Sequence, residues 1–418
     1  MYDGVLRLRL PIDATIVGYA DDVALVVVDK RLDILEAKCN DAAARVQRWL
    51  TNAGLELAAE KTEAVLISAR WQKQQMKLRI GGHEITSQDA IKYLGVLIDT
   101  RLSFKQHLAE VGFKAEKINR ALTLMMPNIG GPKTGRRRLL STVVESVTLY
   151  AAPIWAHAKY HNMQQIARVQ RRSALRVSCA YRTVSEEAIA VIAGKMPIDI
   201  RARELSRLYS TQGAAPSAEQ KTAERAQATR EWQQRWDTSH NGRWTYALIP
   251  NIEAWTTRPH DELDFHLTQL LSGHGCFQQY LHRFKRADSP LCPSCPNALE
   301  TAEHVAFECS RFNEERRALE VSFGCVPTAE NLTNKMCSAS AYWNAVQSFA
   351  NEVIRKLRQT EKERNEMQQQ RQHYQSKQQQ QEQQQQPEQQ QRATEADAAD
   401  RDRRTMDRDR DSRSVDGL

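Results

Sequence analysis

The stretch GYADDVALVV, residues 18–27, constrains this chain more than any other. Two adjacent carboxylates, Asp21 and Asp22, interrupt a run that is otherwise Ile16, Val17, Tyr19, Val23, Leu25, Val26, Val27 and Val28. β-Branched and aromatic residues at that density favour strands. Two like charges cannot be buried side by side without a cation to meet them. The arrangement that satisfies both is a tight hairpin, strands over 15–19 and 23–28, with the aspartates at its tip. On the residues alone such a tip is either a place for divalent metal or a polar turn, since Asp is a common turn residue.

Around the hairpin the period of the apolar residues changes along the chain. Leu6, Leu8 and Leu10 alternate with Arg7 and Arg9 and predict a strand ended by Pro11. Leu32, Leu35, Cys39, Ala42, Val46, Trp49 and Leu50 fall at helical spacing, with Gly54 beyond the helix end. Residues 63–68 and 91–98 predict further strands, and 77–85, with Gly81-Gly82 inside, a hairpin. From 104 to about 207 the spacing is mainly helical; 214–240 lacks apolar periodicity and predicts an exposed helix or linker. A smaller unit follows over 263–337, then an amphipathic helix over 343–357. Glutamine dominates 367–391, and the end of the chain alternates Asp with Arg, so the tail is expected to be disordered or transiently helical.

The net charge is +8, unevenly spread. Residues 111–210 carry 17 Lys and Arg against 6 Asp and Glu, a surplus of 11 that exceeds the total for the chain. A polyanion such as nucleic acid is the first partner to expect, an anionic membrane surface the second. No apolar run is long enough to span a bilayer, so no membrane partner is expected. Within the basic region Lys133, Arg136, Arg137 and Arg138 form one cluster. Arg168, Arg171, Arg172 and Arg176 form another, on one helix face opposite Ile166, Val169 and Leu175. Each is either a phosphate-tracking stripe or a solvated helix face, and position favours the first.

Eight cysteines in a chain of this length do not make a disulfide scaffold, and reduced thiols in the nucleus and cytoplasm fit better. Four ligands are concentrated as C-x2-C-x8-H-x4-C: Cys292, Cys295, His304 and Cys309. The close pair wraps one ion, His304 and Cys309 close a tetrahedron, and soft thiolates with imidazole select Zn²⁺. With all four positions filled by protein the site is structural. His274 and Cys276 compete as ligands only at poorer spacing.

Tyr19-Ala20-Asp21-Asp22 between apolar flanks resembles the catalytic palm hairpin of reverse transcriptases. Residues 55–63, LELAAEKTE, are similar to the next palm motif, and 93–99, YLGVLID, followed by Leu102-Ser103-Phe104 and His107, to the primer-grip hairpin and thumb entry. Residues 272–277 and 301–309 look like the terminal zinc segment of insect non-LTR (LINE-type) retrotransposons, closest to the group that inserts in ribosomal RNA genes or telomeric repeats.

That resemblance, running from residue 1 to about 345, implies an α+β fold. Its parts would be a partial polymerase palm of antiparallel sheet and packed helices (1–103), a helical basic thumb and connector (104–213), a linker (214–262), a CCHC zinc domain (263–337), an amphipathic helix (338–365) and a disordered Gln-rich and Asp/Arg tail (366–418). It implies RNA-directed DNA polymerase chemistry, with Asp21 and Asp22 holding Mg²⁺ in a two-metal site, Lys61 at the pyrophosphate leaving group, Tyr19 at the primer terminus, and Tyr93, Leu94 and Gly95 in the primer grip. RNA template and DNA primer or target would be the partners, with the missing upstream part of the same polyprotein. A first palm strand with a further aspartate and the fingers have no counterpart here, so the chain is expected to be a fragment that does not polymerise alone. The alternative is a non-enzymatic RNA- or DNA-binding remnant.

Overall fold

The computed structural model describes residues 3–70, 72, 74–210, 215–260 and 262–412. Helix α1 (Asp3–Leu6) leads into strands β1 (Ala14–Tyr19) and β2 (Asp22–Val27), then helix α2 (Leu32–Asn52). The hairpin turns its alternate residues Ile16, Leu25 and Val27 onto α2, whose Leu35, Ala43, Val46 and Leu50 are buried. Val17, Tyr19 and Val26 point the other way and stay exposed. Gly54 ends α2 in the left-handed region (φ 71°), which lets the Leu55 amide return to the Leu50 carbonyl at 2.8 Å. A 3-10 turn (Ala59–Lys61) precedes β3 (Lys77–Ile80), β4 (His83–Thr86), β5 (Ala90–Tyr93) and β6 (Val96–Asp99).

These six strands form three separate two-stranded antiparallel sheets rather than one palm sheet. One reason lies at β3, where the amides of Lys77 and Arg79 are taken by the α2 side chains Glu36 and Asn40, both at 2.8 Å, so that edge has no donors left for another strand. Three sequence expectations change accordingly. The alternating residues 6–10 have no strand partner; α1 forms instead, with Val5 buried against Val46 and Leu50 and Arg7 paired to Asp3. Residues 63–68 contribute a single bridge, Val65 to Gln88. Residues 91–98 are a hairpin rather than one strand, because Leu94 and Gly95 both take positive φ (46° and 81°).

The helical region continues with α3 (Lys105–Leu124), α4 (Thr134–Thr148), α5 (Ala152–Trp155), α6 (Tyr160–Val177), α7 (Glu186–Ala193) and α8 (Ile198–Tyr209). α3, α4 and α6 pack through Ala115, Val144 and Val169, and Phe104, Leu108, Trp155 and Ile166 tie them to Val96 of β6.

Next come α9 (Ala218–Thr238), α10 (Arg243–Leu248), α11 (Ile252–Thr256), α12 (Phe265–Ser272), α13 (Gln278–Arg283), α14 (Ala302–Phe307), α15 (Asn313–Phe323), α16 (Ala329–Ser338) and α17 (Ser340–Ser412). The stretch expected as a linker is part of the core. A capping box of Ser217 and Gln220 starts α9, which buries Ala228, Trp232 and Trp236 and ion-pairs Glu224 and Glu231 to Arg207 of α8. One continuous apolar core then joins α6 and α7 to α9–α16 and the first turns of α17, including Trp255, Leu267, Cys292, Val305, Trp343 and Leu357. The segment 263–337 therefore shares its interior with the helices before and after it. The tail is helical as far as Ser412, with no buried residue past Leu357 among those described; 413–418 lie outside the described residues. No helix among the described residues is long and apolar enough to cross a membrane.

Candidate functional site

Asp21 stands in the two-residue turn of the hairpin, after Ala20 at φ 52°, and Asp22 begins β2 directly opposite Tyr19. Cross-strand partners share a sheet face, so Asp22 and Tyr19 project together from the side facing away from α2. Both aspartates are exposed, and Tyr19 keeps 66% of its surface. Among the described residues the one group of three or more His, Cys, Asp or Glu side chains able to hold a metal lies elsewhere, so no third ligand joins Asp21 and Asp22.

Lys61 ends the 3-10 turn and is exposed; beneath it Ala59 packs with Ala43, Ile80 and Leu25 of β2. Tyr93 ends β5 and Leu94 and Gly95 make the β5–β6 turn, on a different sheet, and the Leu94 carbonyl accepts the Tyr150 hydroxyl at 2.7 Å. Asp99, quoted above only as part of a motif, organises the entry to α3. Its carboxylate accepts the amides of Arg101 (3.0 Å), Ser103 (3.0 Å) and Phe104 (2.7 Å). Burial would raise its pKa, but the amides of Ser103, Arg101 and Phe104 outweigh that and hold it below the usual carboxylate value.

The two basic clusters divide by burial. Lys133 and Arg136 are exposed at the start of α4, as are Arg168 and Arg172 on α6. Arg137 is not available to a phosphate. It is 2% exposed and donates to the carbonyls of Pro127 (2.5 Å), Pro132 (2.6 Å), Arg176 (3.0 Å) and Met126 (3.2 Å), which pins the 126–132 loop to the end of α6. Arg138 is half-buried, and burial lowers its pKa. On α6, Arg172 pairs with Glu116 of α3, Arg176 donates to Asn128 (3.3 Å), and Arg171 donates to the carbonyls of Arg182 (2.7 Å) and Val184 (2.5 Å). Sequence spacing placed these four on one face, but the elements packed against α6 engage three of them.

Around α14 the four expected ligands converge. The loop before α14 is closed by a bridge between Leu291 and Leu299 and by the Cys292 amide donating to Ala298 at 2.8 Å. Thr301 caps α14 by accepting the His304 amide at 3.0 Å, and the Cys309 amide returns to the His304 carbonyl at 2.8 Å. One donor atom each of Cys292, Cys295, His304 and Cys309 lies within 4.8 Å of all the others, so the group could hold one metal ion.

The Cys309 sulfur is 3.7 Å from that of Cys292 and 3.9 Å from that of Cys295. His304 Nδ1 faces the Glu308 carboxylate at 3.2 Å, while its Nε2 is buried with no hydrogen-bond partner. The Ser310 hydroxyl and amide pull Cys295 down to about 6, and burial pushes Cys309 up to about 11. Arg311 lies 3.8 Å from the Cys292 sulfur and pairs with buried Glu300. His274 and Cys276 are not in the group: His274 bonds Thr183 at 3.0 Å, and Cys276 is buried in the core.

No protein-family model and no solved structure matches the chain. Its homologues are Pol polyproteins of R1 non-LTR retrotransposons and the RNA-directed DNA polymerase of a related mobile element. It is 26% identical over 337 residues to a 115 kDa protein of the type-1 retrotransposable element R1DM of Drosophila melanogaster, covering 75% of this chain and 32% of that protein. It is 22% identical over 382 residues to a Pol polyprotein of type-1 element R1 2 of Nasonia vitripennis, covering 84% of this chain and 91% of that one. A shorter match, 23% over 170 residues, reaches the RNA-directed DNA polymerase of the Drosophila melanogaster mobile element jockey, over 40% of this chain and 18% of that protein. The chain thus spans about a third of the length of the R1DM protein it matches.

Proposed function

We propose that this chain is the rear part of a retrotransposon reverse transcriptase: the catalytic-hairpin and primer-grip portion of a palm, a helical thumb and connector that hold nucleic acid, and a structural zinc site. The observation that carries the reading is the exposed Asp21-Asp22 turn, set on a hairpin backed by α2, in a chain homologous to R1 polyproteins over most of its length. RNA template and DNA primer or target are then the partners. The exposed Lys133, Arg136 and Arg168 are the cations that meet their phosphates.

Two carboxylates at a rigid turn suit Mg²⁺, which prefers oxygen ligands. Bound there with a second such ion, it would activate the primer 3′-hydroxyl while the other stabilised the leaving oxygen. Lys61 would face the pyrophosphate, while Tyr19, Tyr93, Leu94 and Gly95 would position the primer end. Since no third carboxylate joins Asp21 and Asp22 among the described residues, the chain alone should not incorporate nucleotides; the remaining ligand would come from another part of the polyprotein.

The Cys3His group suits Zn²⁺. A tetrahedral ion with bonds of ~2.3 Å sets its sulfurs ~3.8 Å apart, and the 3.7 and 3.9 Å separations straddle that value. His304, holding its Nδ1 proton toward Glu308, offers Nε2 as the fourth ligand. The test is a primer-extension assay with the purified chain in Mg²⁺, alone and with the upstream polyprotein segment added. Extension only with the added segment, lost in Asp21→Ala, is expected. Extension by the chain alone, lost in Asp21→Ala, would refute its incompleteness, and salt-independent or absent RNA binding would refute the nucleic-acid reading.

A further inference from the structure

The α6 arginines and the zinc segment are joined by a chain of contacts. Arg171 donates to the Arg182 carbonyl, and the next residue, Thr183, bonds both the Tyr280 hydroxyl (2.7 Å) and His274 Nδ1 (3.0 Å). The Tyr280 ring packs on His274 and on Phe284, with ring centroids 4.9 Å apart in both pairs. Phe284, just past α13, is 44% exposed, with the Arg283 guanidinium 5.9 Å from its centroid. Arg182, Arg283, Lys285 and Arg286 are all exposed, and Asp288 is the acidic residue on the same loop.

A core function does not account for an exposed ring among cations. Tyr280 and Tyr181 already close the interior with Phe265, leaving Phe284 as an outer step of the ladder. Such a step offers a π-face to a planar group, and the flanking cations call for a polyanion rather than for a second apolar surface. A base paired within a duplex cannot reach the ring, whereas an unpaired one stacks on it whatever its sequence.

We infer that the Tyr280–Phe284 ladder, with Arg182, Arg283, Lys285 and Arg286, is a track for unpaired bases of single-stranded nucleic acid. The inference rests on the nucleic-acid reading above and names the form of polymer that this part of the protein takes. Phe284 supplies the stacking face, the four cations neutralise phosphates, and His274 with Thr183 holds the Tyr280 ring in place.

The test is fluorescence anisotropy with the full chain, a labelled oligouridylate of about twenty nucleotides, and a blunt RNA duplex of the same length. Phe284→Ala should weaken single-strand binding about tenfold, leave duplex binding and the thermal midpoint unchanged, and be rescued by Phe284→Trp. Arg136→Ala with Arg168→Ala should weaken both probes and flatten the salt dependence. If Phe284→Ala binds the single strand like the parent while the arginine pair weakens both, the track is wrong and the nucleic-acid reading stands. An equal loss on both probes also overturns the track. If the parent binds neither probe, the underlying reading fails and takes the track with it.

Discussion

Replacing Arg137 with Met separates two roles that the basic cluster on α4 could assign to it. The guanidinium donates to four carbonyls. That of Met126 stays enclosed after substitution, whereas those of Pro127 and Pro132 belong to a partly exposed loop and that of Arg176 keeps the Cys179 amide at 3.4 Å. An enclosed acceptor left without a donor costs about 1–3 kcal/mol, and a rehydrated one much less. Met fills most of the aliphatic volume, so the cavity contribution is small. Arg137→Met should therefore lower stability by about 2 kcal/mol, read as a shift of the urea midpoint followed by tryptophan fluorescence. Arg137→Lys should recover only part of it, because one ammonium cannot span four carbonyls. A phosphate contact predicts the reverse: unchanged stability, weaker RNA binding, and a salt slope reduced by about one. A midpoint shift worth less than about 1 kcal/mol, with such a binding loss, would refute the structural role.

Metal analysis should find one zinc per chain, and Cys309→Ser should lose it together with the protease resistance of residues 292–309; retained zinc would refute the ligand set. Asp199 is buried, which raises its pKa, yet the hydrogen bond and charge of Arg235, with Arg203, win and hold it below its ordinary value. A depressed folded pKa adds stability that is complete above the unfolded value near 4 and lost as pH falls through the folded one. Asp199→Asn should thus flatten the acid limb of the stability profile, and an unchanged limb would contradict the pairing. Gly95→Ala should destabilise the β5–β6 turn by about 1–2 kcal/mol, since φ is 81° and the new Cβ would lie 3.2 Å from the Tyr150 ring; a neutral effect on the thermal midpoint counts against that contact. Ending the chain at residue 365 should leave the thermal midpoint unchanged, because no described residue past Leu357 is buried.

Local chemistry was legible in the amino-acid sequence. The hairpin over 14–27, the helix ending before Gly54, the Gly81-Gly82 hairpin and the four-residue metal cluster depend on neighbours in the chain: alternation, a left-handed glycine, and ligands too closely spaced to be separated. What depended on distant partners was not. Alternating leucines at 6–10 predict a strand only if another strand lies beside them, and here Val5 found α2 instead.

The supposed linker carried a readable signal, Ala228, Trp232 and Trp236 at four-residue spacing, hidden in a segment rich in Gln, Glu and Arg. Its burial was decided by α8, whose Arg207 satisfies the acidic face of α9. Arg137 is the sharpest case. Sequence groups it with Lys133 and Arg136 as one basic patch, but helix geometry turns it inward, and the carbonyls of the 126–132 loop and the end of α6, not a phosphate, are what it meets. Charge, spacing and ligand type belong to the sequence. Which charges remain free to act is set by tertiary packing, because a cation is spent once enclosed carbonyls or carboxylates have taken its donors.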